Sequence, residues 1–255
     1  MTEPVFDNKK QSWSIIILCY NEEDSIGQVT DNALHILKEI SNGDFEIILV
    51  NDGSTDGSEE NISQLKKTYP VHIRVITHPE NRGIGQGLRS GYFAASKENV
   101  VFIPGDAQYN VTELIPYATF GDDRFICFYR VENTHYSLFR NGLSLFNKIC
   151  NALFLDLRLK DINWVKIYKR KYLHLLNLKT TSSLIESEIC AKLISIGMKP
   201  VEAESKYLKR AHGKSKGASI KIMLAALSDL FKLLIVVNYF KFFAAGKVKK
   251  ILAKN

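Results

Sequence analysis

Apolar and polar positions alternate along this chain with two different periods. Residues 13–19, WSIIILC, form a short apolar run that stops at YNEEDS. Ile26, Val29, Ala33, Leu34, Ile36, Leu37 and Ile40 then fall mostly on one face of a helix over 25–40. A second apolar run, FEIILV at 45–50, ends in NDGSTDGS, and a polar helix carrying Ile62 and Leu65 follows. VHIRVIT at 71–77 alternates like a half-buried strand; NRGIGQG leads into a helix near 86–97 and a strand over 99–103. Short apolar strands alternating with helices predict an α/β fold, a mostly parallel sheet with helices on both faces. Ligands of such sheets bind beyond the carboxyl ends of the strands. YNEED, NDGSTDG and GDAQ all follow strand ends and should converge on one edge.

The 255 residues suffice for one large domain, or a domain with an appendage, and show no internal repeat. Cys19, Cys127, Cys150 and Cys190 form no C-x-x-C pair and no metal spacing, so they read as reduced core residues. The first twenty residues lack the basic and apolar regions of a secretory leader. Charge is uneven. From Lys206 onward there are eleven lysines and one arginine against Asp229, a net +11, which leaves −4 for residues 1–205 of a chain whose total is +7. An anionic partner at the C-terminus, such as a membrane surface, fits this better than nucleic acid.

Taken singly, the polar segments have plain readings. NDGSTDG is a turn composition, and YNEED suits a helix N-terminus. NRGIGQG fails as a dinucleotide fingerprint, because the third glycine would stand at 88, which is Leu88. In VVFIPGDAQYN, a buried strand ends in Asp106, with Gln108 two residues on. A carboxylate there needs a backbone cap, a basic side chain or a metal ion.

The ordered set is far more specific. LCYNEE, LVNDGSTDGS, NRGIGQGLRSG and GDAQ together resemble the glycosyltransferase family 2 enzymes of GT-A fold. The resemblance implies that Tyr20, Glu22, Asp52 and Gly85 lie at a nucleotide-sugar donor, and that Asp106 and Gln108 hold Mg²⁺ or Mn²⁺ on its diphosphate, with Asp106 catalytic. RVENTHYSLFRNGLS at 130–144 is similar to the acceptor region of polyprenyl-phosphate (dolichol-phosphate) mannosyl- and glucosyltransferases. It implies that Arg130, Arg140 and Ser144 hold the lipid phosphate. LRLKDINWVKIYKRKYL at 157–173 and RAHGKSK at 210–216 resemble further segments of those enzymes, the latter implying that Arg210 and Lys216 contact phosphates, Arg210 as a second catalytic residue and Lys216 as a donor-binding one. Two positions depart from the pattern: Pro104 replaces an acid two residues before Asp106, and Leu18 replaces a proline.

The tail, ASIKIMLAALSDLFKLLIVVNYFKFFAA at 218–245, is nearly all apolar, but its longest charge-free run is Leu233 to Phe240. That is too short to span a bilayer, which takes ~18 residues. Lys221, Ser228, Lys232 and Asn238 make one polar stripe, as on an interfacial helix. The organisation expected is a GT-A domain over 1–217 and a basic, membrane-associating tail over 218–255. The alternative for the tail is a helix packed on the domain, a membrane subunit or a second copy. The activity expected is inverting hexosyl transfer to a polyprenyl phosphate by a protein held peripherally at the cytoplasmic face of a membrane. Rival readings are transfer to a sugar hydroxyl of a lipid-linked glycan, with Glu186, Glu188 or Asp161 as base, and a catalytically weak donor-binding subunit. Glu186 and Glu188 otherwise read as surface carboxylates on a helix striped by Ile185, Ile189, Leu193 and Ile196. No histidine is assigned a role.

Overall fold

The computed structural model describes residues 10–41, 43–131, 151–152, 155–209 and 220–253, with the side chains of 220–228 excepted. Among the described residues seven strands form one sheet: β1 (Trp13–Cys19), β2 (Phe45–Asn51), β3 (Ile73–Thr77), β4 (Asn99–Pro104), β5 (Arg124–Arg130), β6 (Lys166–Lys169) and β7 (Lys199–Ser205). Their order is β3-β2-β1-β4-β6-β5-β7. The helices are α1 (Ile26–Ile40), α2 (Ser58–Thr68), α3 (Ile84–Ala94), α4 (Arg170–Leu175), α5 (Ile185–Ser195), α6 (Ile220–Tyr239) and α7 (Ala245–Leu252). A 3₁₀ segment covers Val111–Tyr117, and a π turn, Phe240–Ala244, joins α6 to α7. The helix expected near 86–97 starts and ends earlier, because Ala95 is already extended.

β1 pairs in parallel with both β2 and β4, and β2 with β3. Alternate residues of these strands face opposite sides. Ile16, Ile48, Val50, Val100 and Phe102 join α3 and α5 in one core, while Ile15, Ile17, Ile47, Leu49, Val101 and Ile103 join α1 and α2 in the other. β6, which the sequence pattern did not mark, runs antiparallel to both β4 and β5, and the sheet is mostly parallel as expected. Two reversals restore the direction, so β5, and β7 parallel to it, end at the same edge as β1–β4.

α5 differs from its reading as a half-exposed helix, since Glu186 and Glu188 are buried. Glu186 accepts from the Tyr92 hydroxyl at 2.6 Å and the Tyr168 hydroxyl at 2.5 Å, with Lys166 Nζ at 3.5 Å. Burial pushes the Tyr92 hydroxyl well up, and the Glu186 charge adds to it, so the phenol stays a donor. Glu188 accepts from Lys192 Nζ at 2.5 Å and from the backbone N–H groups of Lys179 and Thr180 at 2.9 and 2.7 Å. Sequence periodicity missed this because α6 covers the outer side of α5. Leu233 and Val237 of α6, then Phe240, Ala245 and Val248, are buried in the same core as Ile189 and Leu193. One side of the tail therefore packs on the body. No helix of the described residues is long and apolar enough to cross a membrane.

At the amino end of the sheet, Glu46 is buried and accepts from Ser14 Oγ at 2.7 Å, Ser96 N at 2.7 Å, Ser96 Oγ at 2.8 Å and Arg74 Nη1 at 3.0 Å. Burial works to raise its pKa, but these four donors outweigh burial and hold the carboxyl below the usual 4.5. Glu46→Gln should cost about 1–3 kcal/mol near neutral pH, read from urea unfolding. A lowered folded-state pKa stabilises above the unfolded value and loses that contribution as pH falls through it. The gap between the two proteins should therefore close below pH 4.5.

Candidate functional site

The parallel register brings strand ends together. Cys19 pairs with Asn51, Leu18 with Pro104 and Asn51 with Thr77. The next residues, Tyr20, Asp52, His78 and Gly105, therefore leave four neighbouring strands at one edge. Backbone bonds continue the ladder there: Asp52 N to Cys19 O at 2.8 Å, His78 N to Asn51 O at 2.9 Å and Gly105 N to Leu18 O at 3.0 Å.

The first two loops are laced to each other. Ser54 Oγ accepts from Asn21 N at 3.0 Å, Ser58 Oγ from Glu22 N at 2.9 Å and Asn21 Oδ1 from Thr55 N at 2.7 Å. Glu23 Oε2 accepts from Gly57 N at 2.6 Å, and Asp56 Oδ1 from Ser58 N at 3.0 Å. Burial works to raise the Asp56 carboxyl, but bonds from Ser58 and Glu23 hold it below 3.8. Asn21 is left-handed, with φ 57°, a conformation that asparagine tolerates. Gly53 is left-handed too, and a Cβ there would lie 2.4 Å from the Glu80 carbonyl carbon. The NDGSTDG segment is thus a turn that also holds the YNEED loop.

Asp52 is buried and fully engaged at its inner oxygen. Oδ1 meets His78 Nδ1 at 2.7 Å and accepts from Arg82 N at 3.0 Å; Oδ2 accepts from Gly83 N at 2.8 Å. His78 Nε2 meets Ser90 Oγ at 2.9 Å. A line of Asp52, His78 and Ser90 therefore ties the end of β2 to the glycine-rich loop and to α3. The same strand-end rule that singles out Asp52 also picks out His78, the first residue after β3, which the sequence reading passed over. Gly85 is buried, and a Cβ there would lie 2.0 Å from the Ser182 carbonyl oxygen. What the structure shows for Gly85 is close backbone packing.

After β4 the chain turns sharply. Ala107 is left-handed with φ 59°, which lets Gln108 N donate to Asp106 Oδ1 at 3.1 Å. Gln108 Nε2 donates to the Tyr207 hydroxyl at 2.6 Å and to Leu208 O at 3.4 Å, and Gln108 O accepts from Leu208 N at 3.0 Å. With its N–H groups so occupied, the amide has Oε1 as its acceptor. Asp106 and Gln108 present oxygen donors of the kind that suits Mg²⁺ or Mn²⁺. Among the described residues no three His, Cys, Asp or Glu side chains gather as a metal site. Two protein oxygens fit a cation whose remaining ligands are phosphate and water.

Arg130 ends β5 at this edge. Its guanidinium forks onto Asp161, with Nε–Oδ2 at 2.7 Å and Nη2–Oδ1 at 3.2 Å. It lies 4.9 Å from the Trp164 ring centroid and 5.7 Å from that of Tyr207. Tyr207 thus touches both Gln108 and Arg130, and neither it nor Trp164 was singled out from sequence. Lys166, from the segment likened to acceptor enzymes, is in the core and donates to Trp164 O at 2.9 Å. Cys19, Cys127 and Cys190 are free and buried, as expected. Arg140, Ser144, Cys150, Arg210 and Lys216 lie outside the described residues.

Residues 14–177 match the family described as Glycosyl transferase family 2. The chain belongs to that family. A dolichyl-phosphate beta-glucosyltransferase of Trichomonas vaginalis is 29% identical over 113 residues, 43% of this chain and 35% of the relative. An undecaprenyl-phosphate 4-deoxy-4-formamido-L-arabinose transferase of Proteus mirabilis is 24% identical over 216 residues, 82% of this chain and 64% of the relative. These alignments span about a third to under two thirds of the relatives' own lengths. Among solved structures, a mannosyltransferase of Pyrobaculum calidifontis in complex with GDP-Man and Mn²⁺ superposes with a TM-score of 0.60 at 16% identity, over 99% of this chain and 76% of that one. The mannosyl-3-phosphoglycerate synthase of Rubrobacter xylanophilus gives 0.61 at 15%, over 92% and 75%. These likenesses establish the GT-A fold.

Asp52→Asn replaces one carboxylate oxygen by an amide that donates. At least one of His78, Arg82 N and Gly83 N then loses its acceptor, at about 1–3 kcal/mol. Hydrogen exchange at the Arg82 and Gly83 amides should speed up by ~tenfold or more, while the amides of β1 keep their protection.

Proposed function

We propose that the protein transfers a hexose from a nucleotide-sugar to a polyprenyl phosphate at the cytoplasmic face of a membrane, with inversion. The observation that carries this reading is the meeting of the Asp106–Gln108 turn and the Arg130 platform at one sheet edge, bridged by Tyr207. Tyr20, Glu22 and Asp52 are assigned to the base and ribose, and Gly85 to the donor-binding loop. Asp52 Oδ2, with one bond from Gly83 N, keeps acceptor capacity for a ribose hydroxyl. Asp106 and Gln108 would hold a divalent cation, and that ion supplies charge neutralisation to the leaving diphosphate. Arg210 and Lys216 are assigned to the same phosphates.

Arg130, Arg140 and Ser144 are assigned to the lipid phosphate. A phosphate oxygen of the acceptor attacks the anomeric carbon, and the bond from that carbon to the diphosphate oxygen breaks on the opposite face. The acceptor is already an anion at neutral pH, so no side chain has to take a proton. Positioning and charge neutralisation carry the acceleration. The relatives named for transfer to dolichyl and undecaprenyl phosphate support this choice of acceptor.

Transfer to a sugar hydroxyl would need a general base. Glu186 and Glu188 are committed inside the core. Asp161 is paired with Arg130 and accepts from Asn163 N at 3.0 Å.

Two measurements test the reading. Asp106→Asn should reduce transfer of radiolabelled sugar to polyprenyl phosphate by ~10³-fold or more, with an unchanged melting temperature. Full activity of this variant, or of wild-type protein in EDTA, would contradict the metal assignment. Asp161→Asn should keep kcat within about tenfold and raise the acceptor KM, because it loosens Arg130 without removing a base. Complete loss of turnover would favour the hydroxyl acceptor instead.

A further inference from the structure

Among the described residues the C-terminal helices carry two apolar faces, one buried and one exposed. Leu233, Val237, Phe240, Ala245 and Val248 are buried against the body. Phe231, Ile235, Tyr239, Phe242 and Phe243 point the other way, each between 57% and 80% exposed. Steps of four residues from 231 through 235 and 239 to 243 follow one ridge of a helix. The ridge continues across the π turn, where the Tyr239 and Phe243 rings lie 5.2 Å apart. Soluble monomers seldom leave so many large apolar side chains side by side in water.

Charge decides what covers them. Lys247, Lys249 and Lys250 are exposed on the same helices, as is Lys232, whose Nζ lies 3.5 Å from Asp229, the one acid from 206 to the end of the chain. A second copy stacked face to face would set these lysines against each other. A surface of acidic lipid meets both requirements, with acyl chains for the rings and anionic headgroups for the ammonium groups. We infer that this outward face docks on an anionic bilayer, the ridge of Phe231, Ile235, Tyr239, Phe242 and Phe243 entering the headgroup–acyl boundary. The inner stripe bolts the same helices to α5, so docking holds the whole domain in one attitude to the membrane. The inference adds to the lipid-acceptor reading, on which it rests for its purpose, while the docking itself is measured without any transfer.

Flotation of the full chain on phosphatidylcholine vesicles, with and without phosphatidylserine, tests it. Wild-type protein should float on the anionic vesicles. Phe242→Ser with Phe243→Ser should lower the partition coefficient on the order of a hundredfold, since two apolar side chains no longer transfer. Changing Lys247, Lys249 and Lys250 to Gln should lower it by a similar factor on anionic vesicles alone, and the deficit should vanish in high salt. Both variants should melt like wild type, because none of these side chains is in the core. Wild-type protein left at the bottom of the gradient, or variants that float equally well, would overturn the inference. So would a wild-type dimer that the phenylalanine variant dissolves with no vesicle binding, which assigns the face to a second copy. Flotation without transfer to polyprenyl phosphate would leave docking standing and remove the acceptor reading.

Discussion

The parallel register of β1, β2, β3 and β4 is the constraint from which the rest of the site follows. Each of these strands lies in a sheet whose two faces are packed by separate cores. Along β1, β2 and β4 those faces are apolar except at the amino end, where Ser14, Glu46 and Asn99 lie, so the remaining polar side chains gather where the strands end. The register then fixes which residues become neighbours. Tyr20, Asp52, His78 and Gly105 are brought to one edge because their predecessors are hydrogen-bonded partners. The loops beyond would be free to splay, and they are held by short polar side chains. Ser54, Thr55 and Ser58 fasten the first loop, and Asp52 fastens the glycine-rich one. A family motif that looks like ligand chemistry is in good part the means of keeping two backbones in place.

Buried charge serves the same end away from the site. Glu46, Glu186 and Glu188 are all inside, and each meets several donors. An unpaired carboxylate there would cost several kcal/mol, so the partners are obligatory. Glu188 uses Lys192 one turn along its own helix and two backbone N–H groups of the preceding loop. That loop is the one against which Gly85 packs. The position of α3, and so of the glycine-rich loop at its start, is thereby tied to α5.

The two halves of the edge meet through one side chain. The Tyr207 hydroxyl accepts from Gln108 Nε2, and the Tyr207 ring faces Arg130. Arg130 is gripped by Asp161 and backed by Trp164. The Asp106–Gln108 turn and the Arg130 guanidinium are therefore held on a common framework, as the proposed transfer requires, since its main demand is alignment of two charged groups.

The first half of the fold was legible in the chain. Apolar period and strand-end polarity gave β1 to β4, α1 to α3 and the edge where chemistry gathers, because local burial dictates local pattern. The ordered motifs identified the family, and Asp52, Asp106 and Arg130 do lie at that edge. β5, β6 and β7 were not read as strands, and the direction of β6 was not legible, since a four-residue strand carries no signal of its orientation. Nor was the burial of Glu186 and Glu188, because whether a helix face meets solvent depends on what arrives from elsewhere, here α6 from the end of the chain. His78, Trp164 and Tyr207 gain their meaning from neighbours 12 to 99 residues away in sequence. The sequence by itself determined that the segments of β1 to β4 are strands and which residue types stand at their ends. The tertiary structure alone decided which of those residues touch, and which side of the tail is covered, because contacts between distant segments leave no period in the chain.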